Sequence, residues 1–106
     1  MWAQIIKTRL KAGTDNELQG MLDHLNAIEQ PDSGLLRSTA LRDQQDPNVI
    51  YLMVVFDSEE SARAREQDPR REEGLRAVRE TMARIVDGPR EFINLDVLVE
   101  SVFPTG

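Results

Sequence analysis

Residues Val49–Phe56, "VIYLMVVF", form an unbroken apolar run in a chain whose other segments mix apolar and polar positions. A run this short, set between turn-forming residues, predicts a strand buried on both faces. "WAQIIKTRL" (Trp2–Leu10) reads as an earlier strand, rich in isoleucine and interrupted by polar residues. After "KAG", Thr14 stands three residues before Glu17, the spacing of a capping box. Leu18, Met21, Leu22, Leu25 and Ile28 then recur at helical period until Pro31 and Gly34 end the segment. "GLLRSTALRD" predicts a second strand, and the Asp-Pro-Asn turn after it makes a hairpin with Val49–Phe56. "DSEE" opens a second helical region that Pro69 divides. Its later part places Leu75, Val78, Met82, Ile85 and Val86 on one face, and "DGP" (Asp87–Pro89) stops it. "EFINLDVLVE" predicts a fourth strand, with Ile93, Leu95, Val97 and Val99 alternating against Asn94 and Asp96.

The order β-α-β-β-α-β is the ferredoxin-like pattern of an α+β fold. Right-handed crossovers put the first and third strands in the centre of a four-stranded antiparallel sheet, with the helices on one face. The other face is then bare. Along Val49–Phe56, Tyr51, Met53 and Val55 point to one side and Ile50, Leu52, Val54 and Phe56 to the other. Leaving either set in water would forgo roughly 1.5–3 kcal/mol per side chain. The simplest cover is a second copy of the sheet about a two-fold axis, so a homodimer is expected. The alternative is a monomer whose C-terminal "SVFPTG" folds over the face.

With 106 residues, 40% hydrophobic and 30% charged, the chain is expected to form a single domain spanning 1–106. A net charge of −6 argues against a nucleic-acid partner. RNA binding, common on this strand order, also needs stacking aromatics and basic residues on the exposed sheet, and the third strand lacks the glycine-aromatic consensus of such domains. There is no cysteine, hence no thiolate nucleophile or zinc–sulfur site. No stretch approaches the ~20 apolar residues that span a bilayer, and the N-terminus does not read as a signal peptide. No membrane partner and a cytoplasmic location are therefore expected.

"GLLRSTALRDQQDPN", then "YLMVVFDSEES", then "DP" and later "DGP", resemble the antibiotic biosynthesis monooxygenase family over nearly the whole chain. The resemblance implies a dimeric α+β barrel of two ferredoxin-like sheets, with a ligand pocket between the helices and the sheet of each protomer. It also implies activities that range from oxygenation of aromatic or quinol substrates without metal or flavin to haem degradation, so no cofactor is expected. Positions where the family commonly carries histidine fall on Arg65 and Arg70, which flank Asp68-Pro69. Positions of the haem-degrading site fall on Thr8, Arg65 and Leu75, and all three depart from that pattern. Haem degradation is not expected.

Several residues are candidates for a site. Gln4 and Thr8 are polar positions in a central strand, on the face the resemblance turns toward the helices, and are expected to line the pocket. Lys7 and Arg9 point the other way and are expected to meet Asn94 and Asp96 in a polar part of the dimer interface. Eight of the thirteen basic residues fall between Arg63 and Arg90. Glu59–Arg63, Glu66–Arg70, Glu72–Arg76 and Glu80–Arg84 have the favourable i,i+4 order, so most of this cluster reads as a solvated face. Arg65 has Ser61 at i−4, and with Arg70 it is the candidate contact for an anionic or carbonyl group of a ligand. His24 lies about 100° from the middle of its helix's apolar stripe and reads as a flank residue. Gly74, inside the second helical region, marks either a close helix approach or a kink that opens the pocket.

Two functions from different classes follow. The first is a homodimeric small-molecule protein, with a small apolar or aromatic ligand and cofactor-independent oxygenation as its reaction. The alternative is a non-catalytic ligand-binding or structural dimer that has lost the family's reactive residues.

Overall fold

A computed structural model describes residues 1–105. The elements are β1 (Trp2–Arg9), α1 (Asp15–Ala27), β2 (Leu35–Arg42), β3 (Val49–Phe56), α2 (Glu59–Glu66), a 3-10 turn (Pro69–Arg71), α3 (Glu72–Ile85) and β4 (Glu91–Asp96). The strands form one antiparallel sheet in the order β2-β3-β1-β4, so the ferredoxin-like arrangement and its two central strands are as expected. Among the described residues, no helix is long and apolar enough to cross a membrane.

Local chemistry explains most of the boundaries. Ser58 caps α2 by accepting a hydrogen bond from the Ser61 amide at 3.1 Å. Thr14 does not cap α1: its hydroxyl donates backward to the Lys11 carbonyl at 2.7 Å, and its backbone is not extended. The expected capping box is therefore absent, because the hydroxyl is engaged one turn too early. In the β2–β3 hairpin, Asp43 accepts from the Gln45 amide at 2.7 Å and from the Tyr51 hydroxyl at 3.1 Å. Gly34, with φ +83°, enters β2 where a Cβ would stand 2.6 Å from the Ser61 Cβ.

The register decides which face each residue occupies. Trp2 lies opposite Phe56, Gln4 opposite Val54, Ile6 opposite Leu52 and Thr8 opposite Ile50. These residues face the helices. The bare face carries three rows across the sheet: Arg37–Val55–Ala3–Leu95, Thr39–Met53–Ile5–Ile93, and Leu41–Tyr51–Lys7–Glu91. Asn94 is opposite Gln4 and Asp96 opposite Trp2, so both stand on the helix side. They do not join Lys7 and Arg9 as expected. Lys7 faces Glu91 instead, and Arg9 pairs with Asp46 at 2.8 Å.

β4 is shorter than its alternation suggests. Asp96 pairs with Trp2, and beyond it β1 offers only the Met1 carbonyl, which receives the Val97 amide at 3.2 Å. With no partner strand left, residues 97–105 leave the sheet. Glu100 forms an ion pair with Arg37 on the far edge strand, so this segment crosses one end of the bare face. Ala3 and Val55 beneath that end are buried, whereas Leu98, Val99, Val102 and Phe103 of the segment are 75–90% exposed.

The helix side holds two separate groups of buried residues. Trp2, Val54, Phe56 and Ala62 form one, with the Trp2 and Phe56 rings 6.1 Å apart. Leu10, Ile50 and Ile85 form the other. α1 rests mainly on α3, and none of its residues is fully buried.

Candidate functional site

Beside the second group, with Leu10 and Ile50 in its wall, lies a cavity of about 180 Å³. Its floor is the helix side of the sheet, including Ile6, Thr8, Ala40 and Leu52. α1 roofs it with Leu18, Met21, Leu22 and Leu25, and α3 closes it with Leu75, Val78 and Met82. The apolar stripe that predicts α1 thus lines a void rather than meeting the sheet. That is why these leucines are only half-buried. Apolar side chains that line such a space forgo the packing contacts of a filled core, at a cost to stability.

Polar groups in the lining are few. Thr8 places its side chain in the floor, and its hydroxyl has no hydrogen-bond partner among the described residues. Arg90 stands at the rim, with its guanidinium 5.1 Å from the centre of the Phe92 ring. Among the described residues it carries the only charge in the lining. Arg90 was not among the candidates from sequence. The signal available was strand parity: Arg90, Phe92 and Asn94 alternate onto one side, the side β4 turns toward the helices.

The structure does not gather the four ligand-binding candidates. Thr8 alone lines the cavity. Gln4 donates from Nε2 to the Asn94 Oδ1 at 2.9 Å, one residue pair further along the sheet. Arg65 and Arg70 line a separate polar cleft beside α2, and each is engaged by carboxylates there. Arg70 pairs with Asp68 at 2.7 Å and Asp32 at 2.9 Å, and Asp68 is held below the usual carboxylate range by the Arg70 side chain and amide. Arg65 grips Glu29 through Nη2 at 2.6 Å and Nε at 3.0 Å, and lies over the Phe56 ring at 5.5 Å. Burial pushes the Glu29 carboxyl up, but hydrogen bonds from Arg65 and Ser33 and the charges of Arg65 and Arg71 hold it below its ordinary value. Arg71, which sequence reasoning passed over, is 5% exposed behind this pair. Burial and the Arg65 charge both push its pKa down.

The remaining expectations divide. Of the four i,i+4 pairs, only Glu59–Arg63 forms, at 3.2 Å. The break at Pro69 removes Arg70 from the helix of Glu66, and Glu72 reaches Arg79 rather than Arg76. His24 is half-buried outside the cavity, with Nε2 3.1 Å from the Gly74 carbonyl, so the protonated nitrogen donates there. Gly74 marks close approach: a Cβ would stand 2.7 Å from the Ile28 Cγ2. Among the described residues there is no group of three or more His, Cys, Asp or Glu able to hold a metal.

Comparison with known proteins agrees with this architecture. An antibiotic biosynthesis monooxygenase from Nitrosomonas europaea is similar at 20% identity and a TM-score of 0.72, over 93% of this chain and 100% of that one. An antibiotic biosynthesis monooxygenase from Caulobacter crescentus is similar at 13% identity and a TM-score of 0.76, over 92% and 90%. A MhuD mutant bound to two manganese protoporphyrin IX molecules per active site is similar at 18% identity and a TM-score of 0.74, over 96% and 99%. No curated protein matches the chain in sequence. The profile of the antibiotic biosynthesis monooxygenase family matches residues 1–77, and the chain belongs to that family.

Proposed function

We propose that the protein is a homodimeric small-molecule-binding protein whose helix–sheet cavity takes a flat, largely apolar aromatic or quinol-like substrate, with cofactor-independent oxygenation as its reaction. The observation that carries this reading is the cavity itself. An apolar void under a roof of half-buried leucines is retained at a cost to stability, as expected of a site that a ligand completes.

In such a reaction the substrate carries the electrons. It loses an acidic C–H proton, and its electron-rich anion passes electrons to dioxygen. A carbon–oxygen bond forms, the peroxide takes up a proton, and loss of water leaves a carbonyl. One dioxygen is consumed and one water released, with no external reductant. The protein's part is to orient the ring system and exclude water.

The dimer reading is supported by the row Thr39–Met53–Ile5–Ile93 on the bare face and by the apolar tail. Ile93 and Leu95 are 45% and 40% exposed, and the C-terminal segment presents Leu98, Val99, Val102 and Phe103 to solvent. A second copy would bury both sets, forming the dimeric barrel.

Oxygen uptake with a panel of anthrones and hydroquinones tests the reaction, and uptake with at least one member is expected. One observation favours a second reading, a ligand-binding or structural dimer without turnover. Among the described residues no histidine or carboxylate lines the cavity, and Arg65 and Arg70 are occupied by acidic partners. Ligand-induced thermal shifts with no oxygen uptake by any member would replace the first reading with the second.

A further inference from the structure

The arginines of this chain are nearly all engaged. Eight of them, Arg9, Arg37, Arg42, Arg63, Arg65, Arg70, Arg79 and Arg84, have a carboxylate within ion-pair distance. Arg71, Arg76 and Arg90 have none among the described residues. Arg71 is buried, and only Arg90 of the three lines the cavity. In a chain with 19 acidic residues against 13 basic ones, an uncommitted guanidinium at the rim of the principal apolar void stands out from the pattern.

Its setting suits reception of an anion. The guanidinium carbon lies 5.1 Å over the Phe92 ring, and no carboxylate among the described residues engages its N–H donors. Those donors match the two oxygens of a carboxylate. The neighbouring acidic residue Glu91 belongs to the opposite face of the sheet, across from Lys7, and does not compete for the rim. Inside the rim, Thr8 supplies the only other polar side chain in the lining.

We propose that the natural ligand is an amphiphilic acid, with an apolar ring body in the cavity and one anionic group received by Arg90 at its mouth. The proposal rests on the reading of the cavity as a ligand site, and adds to it the chemical class of the ligand and the residue that selects it.

The test is a matched pair of probes, 2-naphthoate and its neutral isostere 2-naphthamide, titrated calorimetrically at neutral pH. The expected result is that the full-length protein binds the carboxylate about tenfold more tightly than the amide, the return of one charge-assisted bidentate contact. In Arg90→Gln the two probes bind with equal affinity, and in Arg90→Lys part of the preference survives. Leu75→Trp, which fills the cavity, loses both probes. Equal binding of the two probes by the wild-type protein overturns the acid preference while leaving the cavity a ligand site. A preference that persists in Arg90→Gln overturns the role of Arg90. Absence of binding by both probes, or full binding by a folded Leu75→Trp protein, overturns this proposal and the cavity reading together.

Discussion

Arg65 and Glu29 are joined by a two-nitrogen grip that spans 36 positions of sequence and ties α2 to the segment between α1 and β2. Their side chains are 18% and 19% exposed, so the pair is shielded from water and salt. The Glu29 carboxyl is held below its ordinary value in the folded state. A depressed carboxylate contributes stability that is complete above its unfolded pKa and is lost as pH falls through the folded one. Glu29→Gln should therefore destabilise the protein by about 2 kcal/mol at pH 7, less than a fully buried pair would lose. The difference from wild type should shrink as the solution is taken below the ordinary glutamate pKa. Urea denaturation at a series of pH values measures both. A constant difference across the series would remove the ion pair as its cause.

The Thr8 hydroxyl stands in an apolar lining and has no protein hydrogen-bond partner among the described residues. Thr8→Val keeps the branched shape and removes that hydroxyl, so it should raise stability by about 0.5–1 kcal/mol. A rise in thermal midpoint is the expected readout. A site kept for ligands commonly shows this trade of stability for function. A loss of stability would instead mean that the hydroxyl is satisfied by water in the cavity.

Gly74→Ala should gain about 1 kcal/mol from helix propensity alone. The close Ile28 methyl reverses that sign, because the new Cβ would stand 2.7 Å from it. A net loss of about 1 kcal/mol is expected. In an Ile28→Ala background the same substitution should become stabilising. The double-mutant cycle reads this coupling directly.

Ile5 lies between Met53 and Ile93 in the middle row of the bare face. Ile93→Lys places a charge in that row at a position already 45% exposed, so the fold of the monomer should be little affected. If a second copy covers the face, sedimentation should show wild-type dimer and mutant monomer with the same circular dichroism. A wild-type protein that sediments as a monomer at micromolar concentration would end the dimer reading.

The element order and the two central strands were legible because they depend on short-range signals. Alternation, helical period, turn residues and crossover handedness act within a few residues of one another. The eight-residue apolar run Val49–Phe56 likewise declared that both sides of β3 are in demand. What the pattern could not say was how far each pairing extends. β4 ends at Asp96 because β1 begins at Trp2, a fact about a partner strand distant in sequence. The same register sends Asn94 and Asp96 to the helix side, away from Lys7 and Arg9.

The site divides along the same line. Thr8 could be assigned to the cavity from strand parity once the helix-facing side was chosen. Arg65 could not be read as a partner of Glu29, nor Arg70 as a partner of Asp32, because those carboxylates arrive from a distant loop. Periodicity also made α1 look like an ordinary packed helix, since a stripe that lines a void and one that fills a core have the same spacing. By itself the sequence determined which residues are apolar together and in what order the elements run. Only the tertiary structure decided where those apolar surfaces meet and where they stand apart, because a cavity is a distance between elements and no single element contains it.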